Sequence, residues 1–280
     1  MPPVVVTGSA SGIGAATVAR LRTEGHEIIG VDLHDAEVIA DLSTASGRTS
    51  AIEAVLSQAG GSLVGLVTCA GIAGKPDRPG SLVAQVNYFG TVELLAGLRE
   101  ALVAGGGAAV AISSNSATVQ PGVPMDVVDA CLSGDVEKAT SAADATPGGS
   151  IAVYPASKIA VAWWVRRHAW RKAWIGSGVR LNAIAPGIID TAFTRELRAD
   201  PLIGPAIELF PVPMGRSGKP EEIAAVVSFL LSPDASLFSG SIVFADGGTD
   251  AKMRADDWPA PWVVDDPAEA WFGHDESHDD

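Results

Sequence analysis

Three glycines within eight residues, placed between an apolar run and a helix-forming segment, constrain the fold of this chain most strongly. Residues 4–6 are all valine, residues 7–14 read Thr-Gly-Ser-Ala-Ser-Gly-Ile-Gly, and residues 15–22 have helical composition. Because glycine has no Cβ atom, this turn can bend sharply and admit a pyrophosphate to the free N–H groups at the helix N-terminus. The order strand, glycine turn and helix therefore predicts a dinucleotide-binding unit.

Further apolar runs of strand length alternate with segments of helical composition. The runs cover residues 28–32, 63–68, 108–113, 181–187 and 241–244, and a helix is predicted over residues 220–231. Continuous apolar strands suit a parallel sheet that is covered on both faces. The sequence therefore predicts an α/β protein with a single Rossmann-like, doubly wound parallel sheet and helices on both faces.

The composition favours one large domain and disfavours a nucleic-acid-binding or membrane-spanning protein. Of 280 residues, 47% are hydrophobic and 19% are charged, which is enough apolar side chain for a sizeable core. The formal net charge of −14 disfavours a nucleic-acid partner, because phosphate binding needs clustered cations. No apolar run approaches the roughly 20 residues that span a bilayer, and the N-terminus lacks a signal-peptide pattern. We therefore expect a cytoplasmic protein without a membrane or nucleic-acid partner.

The distribution of charge separates a body, residues 1–253, from a tail, residues 254–280. The tail holds nine carboxylates against the single cation Arg254, and so carries −8 of the net charge of −14. It also contains Trp258, Trp262 and Trp271, although aromatic residues are scarce in purely solvating segments. One interpretation is a solubilising extension, and the other is a tail whose tryptophans dock on the body or on a partner subunit.

Two stretches of the body depart from the regular alternation. Residues 116–150 form a long insertion, in which we expect a helix around residues 127–143, and residues 188–218, with four prolines, are predicted to form a flap. Long connections of this kind are usually functional or disordered. The flap contributes apolar side chains that would suit a cyclic substrate: Ile188, Ile189, Phe193, Leu197, Leu202, Ile203 and Phe210.

Polar residues in two places, Asp32 and the pair Tyr154 and Lys158, indicate dinucleotide binding and proton transfer. Asp32 ends the second predicted strand, where a carboxylate can bond the ribose hydroxyls of NAD and would repel the 2′-phosphate of NADP. Tyr154 and Lys158 are four residues apart and share a face if they lie on a helix. A lysine cation near a phenol favours the phenolate, so Lys158 is expected to lower the pKa of Tyr154 and make it a usable base.

With these motifs, residues 3–254 resemble the short-chain dehydrogenase/reductase family. The resemblance implies a catalytic set of Asn87, Ser114, Tyr154 and Lys158. It also implies a cofactor-binding set of Gly8, Ser11, Gly12, Ile13, Gly14, Asp32, Leu33, Asp41, Leu42, Cys69, Ala70, Gly71, Tyr154, Lys158, Pro186, Gly187, Ile188 and Thr191. Cys69 stands where the family has asparagine, so the hydrogen bonds of that asparagine are not expected here.

The resemblance implies NAD as cofactor and no metal. Tyr154 is expected to take the alcohol proton, Ser114 to bond the substrate oxygen, and Lys158 to hold the nicotinamide ribose. Asn87 would order a water that relays the proton. The two cysteines, Cys69 and Cys131, lack zinc-ligand spacing, and Tyr154 and Ser114 would do the polarising that a metal does elsewhere.

A narrower resemblance, in residues 35–45, 213–216 and 246–251, is to the bacterial 3α-hydroxysteroid dehydrogenase/carbonyl reductase group. It implies a secondary alcohol or ketone substrate, a 3α-hydroxysteroid or a similar alicyclic compound. It also implies a homodimer rather than a tetramer, because that group has a long insertion before the catalytic tyrosine. Two alternatives stay open: a dehydrogenase of a smaller cyclic or terpenoid alcohol, and a non-catalytic NAD-binding protein.

Overall fold

The computed structural model describes residues 2–264, and its centre is one parallel sheet. The strands are β1 (Val4–Thr7), β2 (Ile28–Asp32), β3 (Val38–Ile39), β4 (Gly65–Thr68), β5 (Ala108–Ile112), β6 (Arg180–Pro186) and β7 (Ile242–Ala245). Their order across the sheet is β3-β2-β1-β4-β5-β6-β7, and all neighbouring strands are parallel. The predicted doubly wound sheet is confirmed. The short strand β3 was not predicted.

Helices cover both faces of this sheet, as predicted. They are α1 (Gly12–Thr23), α2 (Ala45–Gln58), α3 (Gly80–Ala84), α4 (Gly90–Gly97), α5 (Arg99–Gly105), α6 (Ser116–Val119), α7 (Met125–Leu132), α8 (Val136–Ala145), α9 (Gly149–His168), α10 (Ala192–Ala199), α11 (Gly204–Leu209), α12 (Pro220–Leu231) and α13 (Thr249–Arg254). Alternate residues of β1 point to opposite faces. Val4 and Val6 pack with α1 and α12, whereas Val5 packs in the core that includes α2, α4 and α9.

The strand order places a crevice at the carboxyl ends of β1 and β4. From β1 the chain passes to β2 on one side, and it returns to β4 on the other side. Such a reversal leaves a gap between the connections at the strand ends, which is where open α/β sheets bind their ligands. The functional residues predicted from the sequence therefore have a common edge on which to meet.

The insertion is folded and contributes to the core. The helix expected around residues 127–143 is two helices, α7 and α8, because Gly134 adopts φ +76° between them. Val127, Cys131 and Ala139 are buried in the same core as the sheet. The insertion helices pack against α3 and α9, and α9 begins at Gly149, one residue before the expected end of the insertion.

The flap and the first part of the tail lie at the surface. The flap carries α10 and α11. In the tail, the side chains of Trp258 and Trp262 are more than half exposed, so neither is buried against the body. The rest of the tail from residue 265 onward, including Trp271, lies outside the described residues. Among residues 2–264, none of the helices has the length and hydropathy required to cross a membrane.

Candidate active site

A cavity of about 280 Å³ opens at the carboxyl ends of the strands. Most of the residues predicted from the sequence line it: Gly8, Ser11, Gly12, Ile13, Gly14, Asp32, Leu33, Asp41, Leu42, Cys69, Ala70, Gly71, Ser114, Tyr154, Lys158, Pro186, Gly187 and Thr191. Two predicted residues, Asn87 and Ile188, are not among the lining residues. Ile188 lines a second cavity, and its neighbour Ile189 faces both.

The glycine turn forms one wall of this cavity and has no room for side chains. Gly8 has φ +66°, and a β-carbon there would lie 2.8 Å from the backbone N of Ala70. A β-carbon at Gly14 would lie 2.0 Å from the carbonyl oxygen of Gly8. At the start of α1, the Ser11 side chain makes no capping hydrogen bond, so first-turn N–H groups remain available to an anion. The turn fits a pyrophosphate.

Asp32 lies at the far end of the same wall. One carboxylate oxygen accepts a hydrogen bond from Ala10 N at 2.9 Å and the other from Leu33 N at 2.7 Å. Each oxygen can accept more than one hydrogen bond, so the carboxylate can still bind ribose hydroxyls. On helix α1, Arg22 pairs with Glu37 at 2.8 Å, so this cation is already engaged. The wall therefore fits the adenosine ribose of NAD.

Behind Leu42 lies a buried arginine that the sequence did not indicate. The Arg48 side chain is 1% exposed, and it bonds Glu93 at 2.7 Å and the carbonyl oxygen of Leu42 at 3.2 Å. Loss of Glu93, which is itself 36% exposed, would leave the buried guanidinium without this partner, and an unpaired buried charge is costly. Arg48 thus fixes the loop that carries Asp41 and Leu42, where hydrogen bonds from Ser43 lower the pKa of Asp41.

Two adjacent serines at the end of β5 have different tasks. The Ser113 hydroxyl donates to the carbonyl oxygen of Lys158 at 2.8 Å, which ties β5 to helix α9. The Ser114 hydroxyl accepts from Ser116 N at 3.1 Å and lines the cavity. Its hydrogen bonding to Tyr154 lowers the pKa of that phenol. Ser114, rather than Ser113, is therefore the hydroxyl presented next to the tyrosine.

Helix α9 carries Tyr154 and Lys158 into the cavity. Lys158 Nζ donates to the carbonyl oxygen of Ile112 at 2.9 Å and lies 5.9 Å from the centre of the Tyr154 ring. Burial lowers the pKa of Lys158 to about 8. The expected lowering of the pKa of Tyr154 is wrong for the protein alone, because removal from water raises this pKa by more than the Ser114 hydrogen bond lowers it.

Asn87 lies just behind the cavity, in a turn of π-helix over Gln85–Phe89. Its side-chain amide donates to the carbonyl oxygen of Ile72 at 3.0 Å and accepts from Ile72 N at 2.8 Å. A β-carbon at Gly71 would lie 3.3 Å from Asn87 Oδ1 and 3.6 Å from Lys158 Nζ. Asn87 and Lys158 therefore flank the same glycine, and the absence of a side chain there keeps the space between them open.

The flap supplies the opposite wall. Phe193 lies over Tyr154, with ring centres 6.1 Å apart, and Ile189, Ala192 and Thr194 line the cavity beside it. Of the apolar flap residues noted in the sequence, only Ile189 and Phe193 reach this cavity, and Leu202 is 67% exposed. The sequence overestimated the number of flap side chains that line the cavity, because hydrophobicity alone does not tell which face of a short surface helix turns inward.

The described residues contain no group of three histidine, cysteine or carboxylate side chains that could hold a metal ion. Burial raises the pKa of the Cys69 thiol to about 12, so this cysteine on the cavity wall stays protonated and is a poor nucleophile. Besides Asp32 and Asp41, Tyr154 and Lys158 are therefore the ionisable residues of the cavity lining that remain to exchange a proton with a ligand.

Comparisons with known proteins agree with this arrangement. A family model described as short chain dehydrogenase matches residues 3–125, and one described as Enoyl-(Acyl carrier protein) reductase matches residues 134–250. The 3-alpha-hydroxysteroid dehydrogenase/carbonyl reductase of Comamonas testosteroni is 42% identical over 257 residues, which cover 91% of this chain and 98% of that protein.

Two further proteins are informative. The cis-4-hydroxycyclohexanecarboxylate dehydrogenase of Sinomonas cyclohexanicum is 32% identical over 87% of this chain and 94% of its own. The crystal structure of the 3-alpha-hydroxysteroid dehydrogenase from Pseudomonas sp. B-0831, complexed with NADH, superposes with a TM-score of 0.86 at 45% identity. That superposition covers 90% of this chain and 98% of the other.

Proposed function

The chain belongs to the short-chain dehydrogenase/reductase family, and on this basis we propose that it is an NAD-dependent oxidoreductase that interconverts a cyclic secondary alcohol and its ketone. One observation carries the proposal. Tyr154, Lys158 and Ser114 converge on a cavity whose other end is formed by the glycine turn and Asp32. A proton acceptor and a dinucleotide site in one cavity are the two requirements of hydride transfer from an alcohol.

Each catalytic residue has a role that follows from its position. In alcohol oxidation, Tyr154 takes the hydroxyl proton, and bound NAD supplies the nicotinamide that accepts the hydride. Ser114 donates a hydrogen bond to the substrate oxygen and holds it near Tyr154. Lys158 stabilises negative charge on the tyrosine, and the Asn87 amide, on the other side of Gly71, orients a water between Lys158 and solvent. The protein residues thus align and deprotonate the alcohol.

The proposed preference for NAD over NADP depends on Asp32. A 2′-phosphate beside this carboxylate would meet like-charge repulsion. Replacement Asp32→Ala should therefore lower the ratio of kcat/KM with NAD to kcat/KM with NADP. A decrease of about tenfold or more is expected if the lost repulsion is equivalent to a shift of one pKa unit. Asp32→Asn, which keeps the shape and removes the charge, separates repulsion from lost hydrogen bonds. A wild type that prefers NADP would refute the assignment.

We propose a 3α-hydroxysteroid or a similar alicyclic alcohol as substrate. The support is the similarity to the two 3-alpha-hydroxysteroid dehydrogenases and the apolar flap wall formed by Ile189 and Phe193. A smaller cyclic alcohol is a second candidate, favoured by the similarity to the cis-4-hydroxycyclohexanecarboxylate dehydrogenase. Both candidates share the reaction and differ in the size of the ring system.

Initial rates with NADH on a panel of 3-oxosteroids, substituted cyclohexanones and cyclic terpenoid ketones test these proposals. Steroid turnover with kcat/KM at least tenfold above that of the single-ring ketones would support the first candidate, and the reverse order would support the second. If NADH binds and no ketone is reduced, the protein is a non-catalytic NAD-binding protein and the enzymatic proposal fails.

We also propose a twofold homodimer built on α12 and β7. The insertion packs against α3 and α9, whereas Phe229 on α12 is 40% exposed and β7 is an edge strand with partly exposed apolar side chains. An edge strand is a natural pairing surface. Light scattering of the full chain and of a chain ending at Arg254 tests this: a tetramer refutes the dimer, and an unchanged dimer after truncation excludes a role of the tail in assembly.

A further inference from the structure

One ion pair joins the flap to the opposite side of the cleft. Lys75, in the loop after β4, pairs with Glu196 on α10, across 121 positions of sequence. The other ion pairs that involve flap helix α10 are local: Arg195 bonds Asp190, and Arg198 bonds Glu208. Among the described salt bridges of α10, the Lys75–Glu196 pair is therefore the one that joins the flap to another part of the protein rather than bracing the flap internally.

The two partners of this pair differ in how firmly they are held. Lys75 N donates to Ser150 Oγ at 2.8 Å, and Ser150 Oγ donates back to the carbonyl oxygen of Lys75 at 2.6 Å. A β-carbon at Gly74 would lie 2.2 Å from the carbonyl oxygen of Ser150, so the loop is pressed against the first turn of α9. The Lys75 side chain is 14% exposed, whereas that of Glu196 is 60% exposed. A fixed, largely desolvated cation thus faces a solvent-exposed anion.

The register of two helices places this cation next to the reacting group. Ser150, which holds Lys75, and Tyr154 are four residues apart on α9, and Phe193 and Glu196 are three apart on α10. Residues at these spacings lie on the same helix face, about 5–6 Å apart. Phe193 meets Tyr154, and Glu196 meets Lys75 one helical turn away. Neither Lys75 nor Glu196 is among the residues that line the cavity. The pair lies one helical turn beyond Tyr154 and Phe193, where a ligand that extends past these two rings would meet it.

We propose that Lys75 is a substrate-binding residue whose ammonium group takes a carboxylate of the substrate in place of Glu196. This inference rests on the proposed function. Of its two substrate candidates it favours the smaller cyclic alcohols and ketones, in a form that carries an anionic group about one ring away from the reacting carbon. The exchange replaces one carboxylate with another at a desolvated ammonium, where charge-assisted hydrogen bonds are strong. Glu196 returns to water at little cost because it is already exposed.

A matched pair of ketones tests the proposal. With NADH, wild-type kcat/KM for 4-oxocyclohexanecarboxylate should exceed that for its methyl ester by about tenfold, the scale of one charge-assisted hydrogen bond. Lys75→Met should bring this ratio close to one. Glu196→Gln, which removes the competing carboxylate, should raise the ratio above the wild-type value. Arg195→Gln removes a cation from the same helix outside the pair, and should leave the ratio as in wild type.

The outcomes separate this inference from the proposed function. A wild type that reduces both ketones equally, a preference that persists in Lys75→Met, or variants that slow both ketones by the same factor would each overturn the inference; the last result would make the pair a structural latch only. Calorimetric titration with cyclohexanecarboxylate and cyclohexanecarboxamide, with and without NADH, gives a second readout. If neither these ketones nor the steroid and terpenoid ketones are reduced, but carboxylate binding is lost in Lys75→Met, the enzymatic proposal fails and the anion site stands.

Discussion

The wall of the cavity that carries the glycine turn is built from strand ends, whereas the wall formed by the flap is built from short, partly exposed helices. Behind the glycine turn, Val5, Val31 and Val67 are completely buried, and a β-carbon on Gly8 would collide with the backbone of Ala70. In the flap, Leu202 and Leu209 are 67% and 84% exposed, and the ion pairs within the flap are partly exposed and contribute little to stability. Single substitutions should therefore disrupt the wall that carries the glycine turn, and should alter the flap wall only slightly.

The largest effect is expected where the two walls meet, at Tyr154. Tyr154→Phe removes the proposed proton acceptor and keeps the ring that contacts Phe193, so kcat should fall by about 10²- to 10⁴-fold, the usual contribution of general base catalysis. Cofactor affinity, measured by NADH fluorescence titration, should change little. Tyr88→Phe removes the only other tyrosine hydroxyl of the chain, away from the cavity, and is the matched control. A Tyr154→Phe enzyme with near wild-type kcat would contradict the assignment.

The pH dependence of alcohol oxidation and ketone reduction should also depend on Tyr154. Removal from water raises the pKa of Tyr154, so below that pKa the fraction of phenolate, and with it alcohol oxidation, should rise by about tenfold per pH unit. Burial sets the pKa of Lys158 at about 8; above this pH Lys158 loses its charge and supports the phenolate less, so the slope should decrease. Ketone reduction needs the protonated phenol and should not rise with pH. Steady-state kcat/KM in both directions checks this, and parallel profiles would exclude a tyrosine base.

A substitution in the glycine turn should break the first wall. Gly8→Ala imposes a left-handed conformation that costs about 1–2 kcal/mol for an L-residue, and its β-carbon would collide with the backbone of Ala70. We expect the Kd for NADH to rise by about tenfold, the equivalent of 1.4 kcal/mol. Gly106→Ala has a similar φ of +64° but faces open space, and so isolates backbone strain. Equal effects of both variants on NADH binding would show that contact at the turn is unimportant.

The smallest effect is expected in the flap. Phe193→Ala removes one aromatic contact with Tyr154, and such pairs are worth about 0.5–1.5 kcal/mol. The KM for a cyclic ketone should therefore rise a few-fold, with little change in the Kd for NADH. Leu209→Ala, in the same flap but 84% exposed, is the control. A loss of NADH affinity in Phe193→Ala would mean that the two walls are not independent.

The same contrast explains what the sequence could predict. The glycine turn, Asp32 and the strands are recognisable from neighbouring residues, since each depends on local backbone geometry or a short apolar run. Strand β3 has two residues, too few to show a periodic pattern. Gly134 divides the expected helix of the insertion, although an isolated glycine is often tolerated inside a helix.

Contacts between residues far apart in the chain could not be predicted, because no short stretch of sequence indicates them. The pairing of Lys75 with Glu196 joins residues 121 positions apart, and the burial of Arg48 depends on Glu93, 45 positions away. The expected pKa of Tyr154 was wrong for a related reason. A nearby lysine is visible in the sequence, but the loss of water around the phenol is a property of the assembled cavity.

Two hydrogen bonds attach Lys158, and with it helix α9, to the end of β5. Its carbonyl oxygen is bonded by Ser113, and its ammonium group bonds the carbonyl of Ile112, so one residue is fastened to β5 at both its main chain and the tip of its side chain. A single fastening would let the helix pivot about that point. With two, neither rotation about the helix axis nor sliding along the strand is possible without breaking a bond. The flap and the insertion can therefore change, and admit other ring systems, while Tyr154, the proposed proton acceptor, keeps its position relative to the sheet.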